Sequence, residues 1–220
     1  MLSGTEIVVA CPHCGAFARL LAMVPEESYG AKVWTDGKME GPLVPEHPSV
    51  VICSGCADFY WSEEAQRVGE IPNAGEGAVD EDGEVKPEWL DAPRVGEPSE
   101  ADYLGIVADD SRQLSGDDEI SLRLLAWWRG NDTFRKADIE PENKRQADAI
   151  ANMEHLLEML DPSVPDERIF RAELLRQLGR FDEVGPALEG LEELRYQNSV
   201  ERIRTLAKQQ TSRLDLISTY

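Results

Sequence analysis

The chain is short of positive charge: 22 Lys and Arg face 43 Asp and Glu over 220 residues, a formal charge of −21. A field of that sign repels phosphate backbones and anionic lipid heads, which are bound through clustered Lys and Arg. Long apolar runs are missing as well. Nothing approaches the roughly 20 consecutive apolar residues of a membrane helix. Met1–Ala10 lacks the basic region and long apolar core of a signal peptide. No cysteine stands outside two CxxC pairs, an economy expected of a reducing compartment, with the cytoplasm as the default location. The signatures of familiar enzymes are absent too: no GxxxxGK[ST] phosphate loop, no HExxH and no GxSxG elbow. Of the three histidines, neither His47, in a proline-flanked loop, nor His155, on a helix, has a neighbouring nucleophile. An enzyme reading would require a pocket that joins His155 to several carboxylates among apolar walls.

What is present is a set of metal-ligand spacings. Cys11-Pro12-His13-Cys14-Gly15 and Cys53-Ser54-Gly55-Cys56-Ala57 are two CxxC turns. Such a turn points two thiolates into one coordination sphere, and two turns complete a tetrahedron. Pro12 fixes φ, and Gly15 lets the backbone close behind the second sulfur. The second turn carries its glycine inside rather than after, a looser match. Cys11, Cys14, Cys53 and Cys56 are therefore expected to hold one structural Zn2+; rubredoxin-type iron, an iron–sulfur cluster and a redox dithiol are the weaker alternatives. Four thiolates leave no open position for catalysis, and His13 is expected to face solvent. The 38 residues from Gly15 to Ile52 exceed usual ribbon spacing, and a β-hairpin turning at Asp36-Gly37 is expected to fill the interval.

Three regions follow from the pattern. Residues 1–70 carry Gly, Pro, aromatics and short β runs (Ile7–Ala10, Ala31–Trp34, Val50–Cys53), then a short helix over Glu63–Val68 opened by Ser62 and ended by Gly69. Pro42, Pro45 and Pro48 impose an extended return to the second cysteine pair. Residues 71–115 form an acidic connector with turn formers such as Asn73–Gly77 and few large apolar groups, pinned by Trp89, Leu90, Tyr103 and Leu104. Residues 116–220 read as helices: one capped at Ser115–Asp118 and bearing Ile120, Leu124, Trp127 and Trp128; a turn from Arg129 to Pro141; a second over 142–160; a third over 166–178. A fourth has the stripe Phe181, Val184, Leu188, Leu191 and Leu194, and a last, capped by Asn198 and Glu201, bears Val200, Ile203, Leu206 and Leu214. The adjacent Trp127 and Trp128 cannot share one face, so one packs inward while the other covers neighbouring chain.

The run Ala172–Val184, with Ala172, Gly179 and Phe181 in place and Pro162 after the preceding helix, resembles the turn of a tetratricopeptide repeat (TPR). Val184 stands where Ala is typical. Taken whole, the chain resembles uncharacterised bacterial proteins that join an N-terminal zinc ribbon to C-terminal TPR-like helices. That resemblance rests on the CPHCG knuckle, Tyr29–Lys38, Phe59-Tyr60-Trp61 and Trp127–Asp132. It implies an α+β multidomain chain: a small β-rich zinc-ribbon-like domain (1–70), an acidic connector (71–115) and a TPR-like helical domain (116–220). A generic helical bundle is the alternative for the last. The function expected is a non-enzymatic, zinc-binding adaptor for a protein partner, basic or Arg-rich given the acidic field. Binding of nucleic acid or transcription machinery through the ribbon is the second reading, with Arg19, Lys32 and Lys38 as its few cations.

Overall fold

A computed structural model describes residues 5–21, 30–41, 48–72, 77–80, 82–137, 145–191 and 193–219. Tyr29, Pro42, Pro45, His47, Asn73–Glu76 and Pro141 lie outside the described residues. The fold is α+β, with small N-terminal sheets followed by six α-helices. It divides into two compact units that do not follow the chain in simple order: Met1–Tyr29 with Gly41–Pro98, and Gly30–Glu40 with Ser99–Tyr220.

In the first unit, β1 (Glu6–Ala10), β2 (Phe17–Leu21), β7 (Gln66–Ile71) and β8 (Val79–Asp80) form an antiparallel sheet in the order β2-β1-β7-β8. β1 is central and apolar throughout its middle because both faces are covered. Val9 joins Cys11, Leu20, Val51, Cys53 and Tyr60 on one side, and Val8 joins Ala78 and Trp89 on the other. A separate hairpin pairs β5 (Val50–Ile52) with β6 (Phe59–Trp61). The helix expected over Glu63–Val68 is not formed: a single 3-10 turn at Ser62–Glu64 leads into β7. Pairing with β1 overrides local helix preference there. Gly69 lies opposite Val8 inside that strand. A Cβ at this position would come within 2.2 Å of the Trp89 ring and 2.3 Å of the Val79 carbonyl oxygen, so Gly69 makes room for the indole rather than ending a helix. The stretch expected to be a connector is ordered here as β8 and a 3-10 helix, Pro87–Asp91. Trp89 is buried within it, while Leu90 is exposed.

The second unit contains α1 (Glu100–Val107), α2 (Gly116–Ala137), α3 (Ala147–Met159), α4 (Pro165–Gln177), α5 (Phe181–Ala187) and α6 (Gln197–Lys208). α1 has a reciprocal Ser99/Asp102 capping box, and Ser115 and Asp118 cap α2 in the same way. α2 runs through the expected Arg129 turn to Ala137, because Asn131, Phe134 and Arg135 all have buried partners on its inward face. α5 stops after Ala187, with Pro186 near its end, and Leu194 is left exposed. Asn198 lies within α6 instead of capping it, and Leu214 precedes a strand, β9 (Leu216–Thr219), that the helical periodicity did not predict. One apolar core holds the bundle together, with Trp127, Leu156, Leu174, Leu188 and Ile203 at its centre.

The expected hairpin exists but belongs to this second unit. β3 (Lys32–Trp34) pairs with β4 (Met39–Glu40) on one side and with β9 on the other. Its loop differs from a two-residue turn. Gly37 N–H bonds the Trp34 carbonyl, and only Gly37 takes a positive φ, 82°. That is a type I turn followed by a left-handed glycine.

Buried polar groups hold the hairpin to the helices. The Asp36 carboxylate, fully buried, accepts from Asn131 Nδ2 at 2.7 Å and from the Arg135 guanidinium. Trp128 Nε1 donates to the Asp36 carbonyl at 2.8 Å, so Trp128 covers the hairpin while Trp127 packs into the core. Thr35 Oγ1 donates to Glu173 Oε1 at 2.8 Å, and Arg176 forks onto the same carboxylate. Removing one partner of a buried pair leaves the other charge uncompensated. Asp36→Ala is therefore expected to destabilise the helical unit by about 3–5 kcal/mol, read as a lowered urea midpoint of the far-UV circular dichroism transition. Thr35→Val, which removes a single hydroxyl, is expected to cost only about 1 kcal/mol.

Candidate metal centre

Each cysteine pair sits at the tip of an antiparallel pair of strands. Cys11 and Cys14 lie between β1 and β2, and Cys53 and Cys56 between β5 and β6. The two turns share one backbone pattern. Cys11 N–H bonds Ala16 O at 2.9 Å and Gly15 N–H bonds Cys11 O at 2.9 Å; Cys53 N–H bonds Asp58 O and Ala57 N–H bonds Cys53 O, both at 2.8 Å. Gly15 takes φ +73° and Ala57 takes φ +59°. The second knuckle thus has the same geometry as the first, with alanine forced into the left-handed region that glycine occupies freely. Gly55 inside that turn has its own cause: a Cβ there would meet Ala16 Cβ at 2.7 Å and Cys14 Sγ at 3.3 Å. Its N–H points at Cys53 Sγ, 3.3 Å away.

All four sulfurs lie within 4.8 Å of one another. Cys14 Sγ is 3.6 Å from Cys53 Sγ, and Cys11 Sγ is 4.0 Å from Cys56 Sγ. Four ligands about 2.3 Å from a central ion at tetrahedral angles would stand about 3.8 Å apart, so the sulfurs are placed to hold one metal ion. Cys11 and Cys53 are buried, while Cys14 and Cys56 face outward. The electrostatics agree. Burial pushes the Cys53 thiol up, but the backbone N–H groups of Cys56 and Gly55, with the Cys11 and Cys14 thiols, bring it down to about 7. The Ala16 N–H favours a Cys14 thiolate, yet the neighbouring sulfurs and burial outweigh it and push Cys14 up to about 12. One sulfur ionises readily and another resists, which is what clustered like charges do without a cation. Tyr60, packed beneath the knuckles, is pushed up to about 12 by burial and by the charge of the four sulfurs.

His13 is exposed, and its Nε2 lies 3.1 Å from the Phe59 carbonyl oxygen, outside the sulfur cluster. Arg19 is bound to Glu6 at 3.3 Å and to the Ala92 carbonyl at 2.6 Å. Lys38 is paired with Asp132 at 2.7 Å, so Lys32 alone of the three expected cations stands exposed without such an ion pair. His155 lines a cleft with Glu100 and Asp148. Seven residues of helix, about 10 Å of rise, separate Asp148 from His155, and the ring's Nδ1 is engaged 3.1 Å from Ala151 O. These two groups do not form an acid–base pair.

Sequence reasoning missed Ala16, Ala57 and Tyr60 as supports of the centre. The position following each CxxC, always the left-handed one, was the available signal for Ala57. No protein-family model matches the chain, and no curated protein or solved structure matches it. Ala57→Gly is expected to stabilise the first unit by about 0.5–1 kcal/mol by relieving left-handed alanine, seen as a raised denaturation midpoint and slower metal release to a chelator.

Proposed function

We propose that Cys11, Cys14, Cys53 and Cys56 bind one structural Zn2+ as a zinc-ribbon-like centre, and that the chain is a cytoplasmic, non-enzymatic adaptor whose helical unit receives a protein segment. The observation that carries the metal reading is the sulfur spacing of 3.6 and 4.0 Å across the two turns. Zinc is favoured over iron because it needs no redox chemistry and the all-thiolate, closed tetrahedron is its usual structural site. Bound there, the ion would cross-link two hairpin tips whose buried Cys11 and Cys53 already belong to the apolar cluster around Val9, Val51 and Tyr60.

A TPR-like helical scaffold is supported by consecutive short helices and by the α4–α5 turn. Ala172 is fully buried where two helices must approach closely, and Gly179 takes φ +76° to close the turn. The brevity of α5 departs from that family's pattern. The adaptor role is supported by the acidic surface, the absence of an acid–base pair in the cleft described above, and a metal site with every ligand a thiolate. Among the described residues no helix is long and apolar enough to cross a membrane.

Replacing the metal with Co2+ tests the centre directly. The account expects one equivalent, with the intense sulfur-to-metal absorption of a tetrahedral all-thiolate site, and its loss or displacement to fewer sulfur ligands in Cys14→Ser. Protons compete with the metal for each thiolate, so affinity is expected to fall as pH is lowered and to recover on neutralisation. A pH-independent affinity, or an octahedral spectrum, would reject the centre.

A further inference from the structure

The helical unit carries an open cleft of ≈ 690 Å³ between α1 and α3, floored by α2. Its walls are made of small residues: Ala101, Gly105 and Ala108 on α1, and Ala149 and Ala151 on α3. Small side chains on facing helices leave a slot in which a third helix can approach to about 8 Å between axes. The slot has direction. A Cβ at Gly130 of α2 would strike the Glu100 carboxylate, 2.2 Å away, so the first residue of α1 rests over Gly130. Arg145, just before α3, hydrogen-bonds Asn131. Farther towards the start of α2, Arg123 Nη1 donates to Asn152 at 3.2 Å. α1 and α3 therefore both begin at one end of the cleft, where Glu100 and Asp148 stand, and α3 carries Asn152 and His155 towards the other.

The acidic end lacks a countercharge. Among the described residues neither Glu100 nor Asp148 has a hydrogen bond or ion pair to its carboxylate, although Glu100 is half-buried. Burial pushes its pKa up, only partly opposed by Arg145. At the other end Arg123 is already paired with Glu119 at 2.7 Å. A carboxylate desolvated beside apolar walls is costly unless a cation arrives to pair with it.

We propose that this cleft receives an amphipathic helix of a partner protein, its apolar face seated between α1 and α3 and a Lys or Arg at one end paired with Glu100. This deepens the adaptor reading and rests on it. A second copy of the chain is disfavoured as occupant, since two molecules of charge −21 repel.

Gly105 supplies the decisive variant. It lines the cleft, and a Cβ there meets nothing within 4 Å. Gly105→Leu therefore fits, favours helix, and puts an aliphatic side chain into the slot. The probe is a fluorescein-labelled Leu/Lys amphipathic peptide of about 18 residues, long enough to form helix on binding, titrated by anisotropy against the full chain. A Leu/Glu peptide of the same pattern is the control. The expected result is that Gly105→Leu weakens Leu/Lys binding at least tenfold (about 1.4 kcal/mol) with circular dichroism unchanged, that Glu100→Gln weakens it about three- to tenfold, and that Leu/Glu does not bind. Wild-type affinity in Gly105→Leu would show that the peptide is held by the general acidic field and would overturn the proposal, as would failure of the Leu/Lys peptide to bind. Self-association of the wild-type chain that Gly105→Leu abolishes would assign the cleft to a second copy and overturn it too. A tagged chain that retains the same cellular proteins in wild-type and Gly105→Leu form would remove the cleft but leave an adaptor role. A wild-type chain that retains none would remove the adaptor role itself.

Discussion

Four sulfur atoms confined within 4.8 Å of one another set the terms for the N-terminal unit. As thiolates they repel, as thiols they leave buried weak donors poorly matched, and a divalent cation resolves both problems at once. The rest of that unit is arranged around keeping them there. β1 and β2 carry one pair, β5 and β6 the other, and Tyr60 with Val9 and Val51 fills the space behind. Close approach of the two tips is why Gly55 has no side chain and why Ala57 accepts a left-handed backbone.

The helical unit depends on a different constraint, satisfaction of buried charge. Glu173 and Arg176 are both fully buried, as is Asp36. Each is answered several times over, by Thr35, Gln177, Asn131 and Arg135. Such a network contributes little net stability compared with an apolar core, because desolvation offsets most of the attraction. Its effect is to specify one docking of the 30–40 hairpin onto α2 and α4. The loop Trp34-Thr35-Asp36-Gly37 places its polar groups only against those partners, and Gly37 lies under the Phe170 ring, where a Cβ would approach to 2.6 Å.

How much of this was legible beforehand divides along local and non-local lines. The cysteine spacing announced the metal centre because the chemistry is written in four residues and two turns. Ser115 with Asp118, and the stripe Met153, Leu156 and Leu157, announced helices through local capping and period. Gly69 misled because a glycine after a polar run marks a helix end as readily as a strand crossed by a tryptophan; only Trp89, 20 residues away, decides between them. The hairpin at Asp36-Gly37 was visible, but its allegiance was not. Chain proximity tied it to the cysteines, whereas its buried partners Asn131, Arg135 and Glu173 lie about a hundred residues downstream. β9 was hidden for the same reason, since Leu216–Thr219 becomes a strand only by pairing with Lys32–Trp34.

The central claim is that a single ion closes the sulfur cluster, and thiol counting against metal content on the full reduced chain tests it most directly. Native mass spectrometry should show one zinc per chain, with no cysteine open to an alkylating reagent until a chelator removes the metal, after which all four react. A well-folded chain with no bound metal and four freely alkylated thiols would contradict the account.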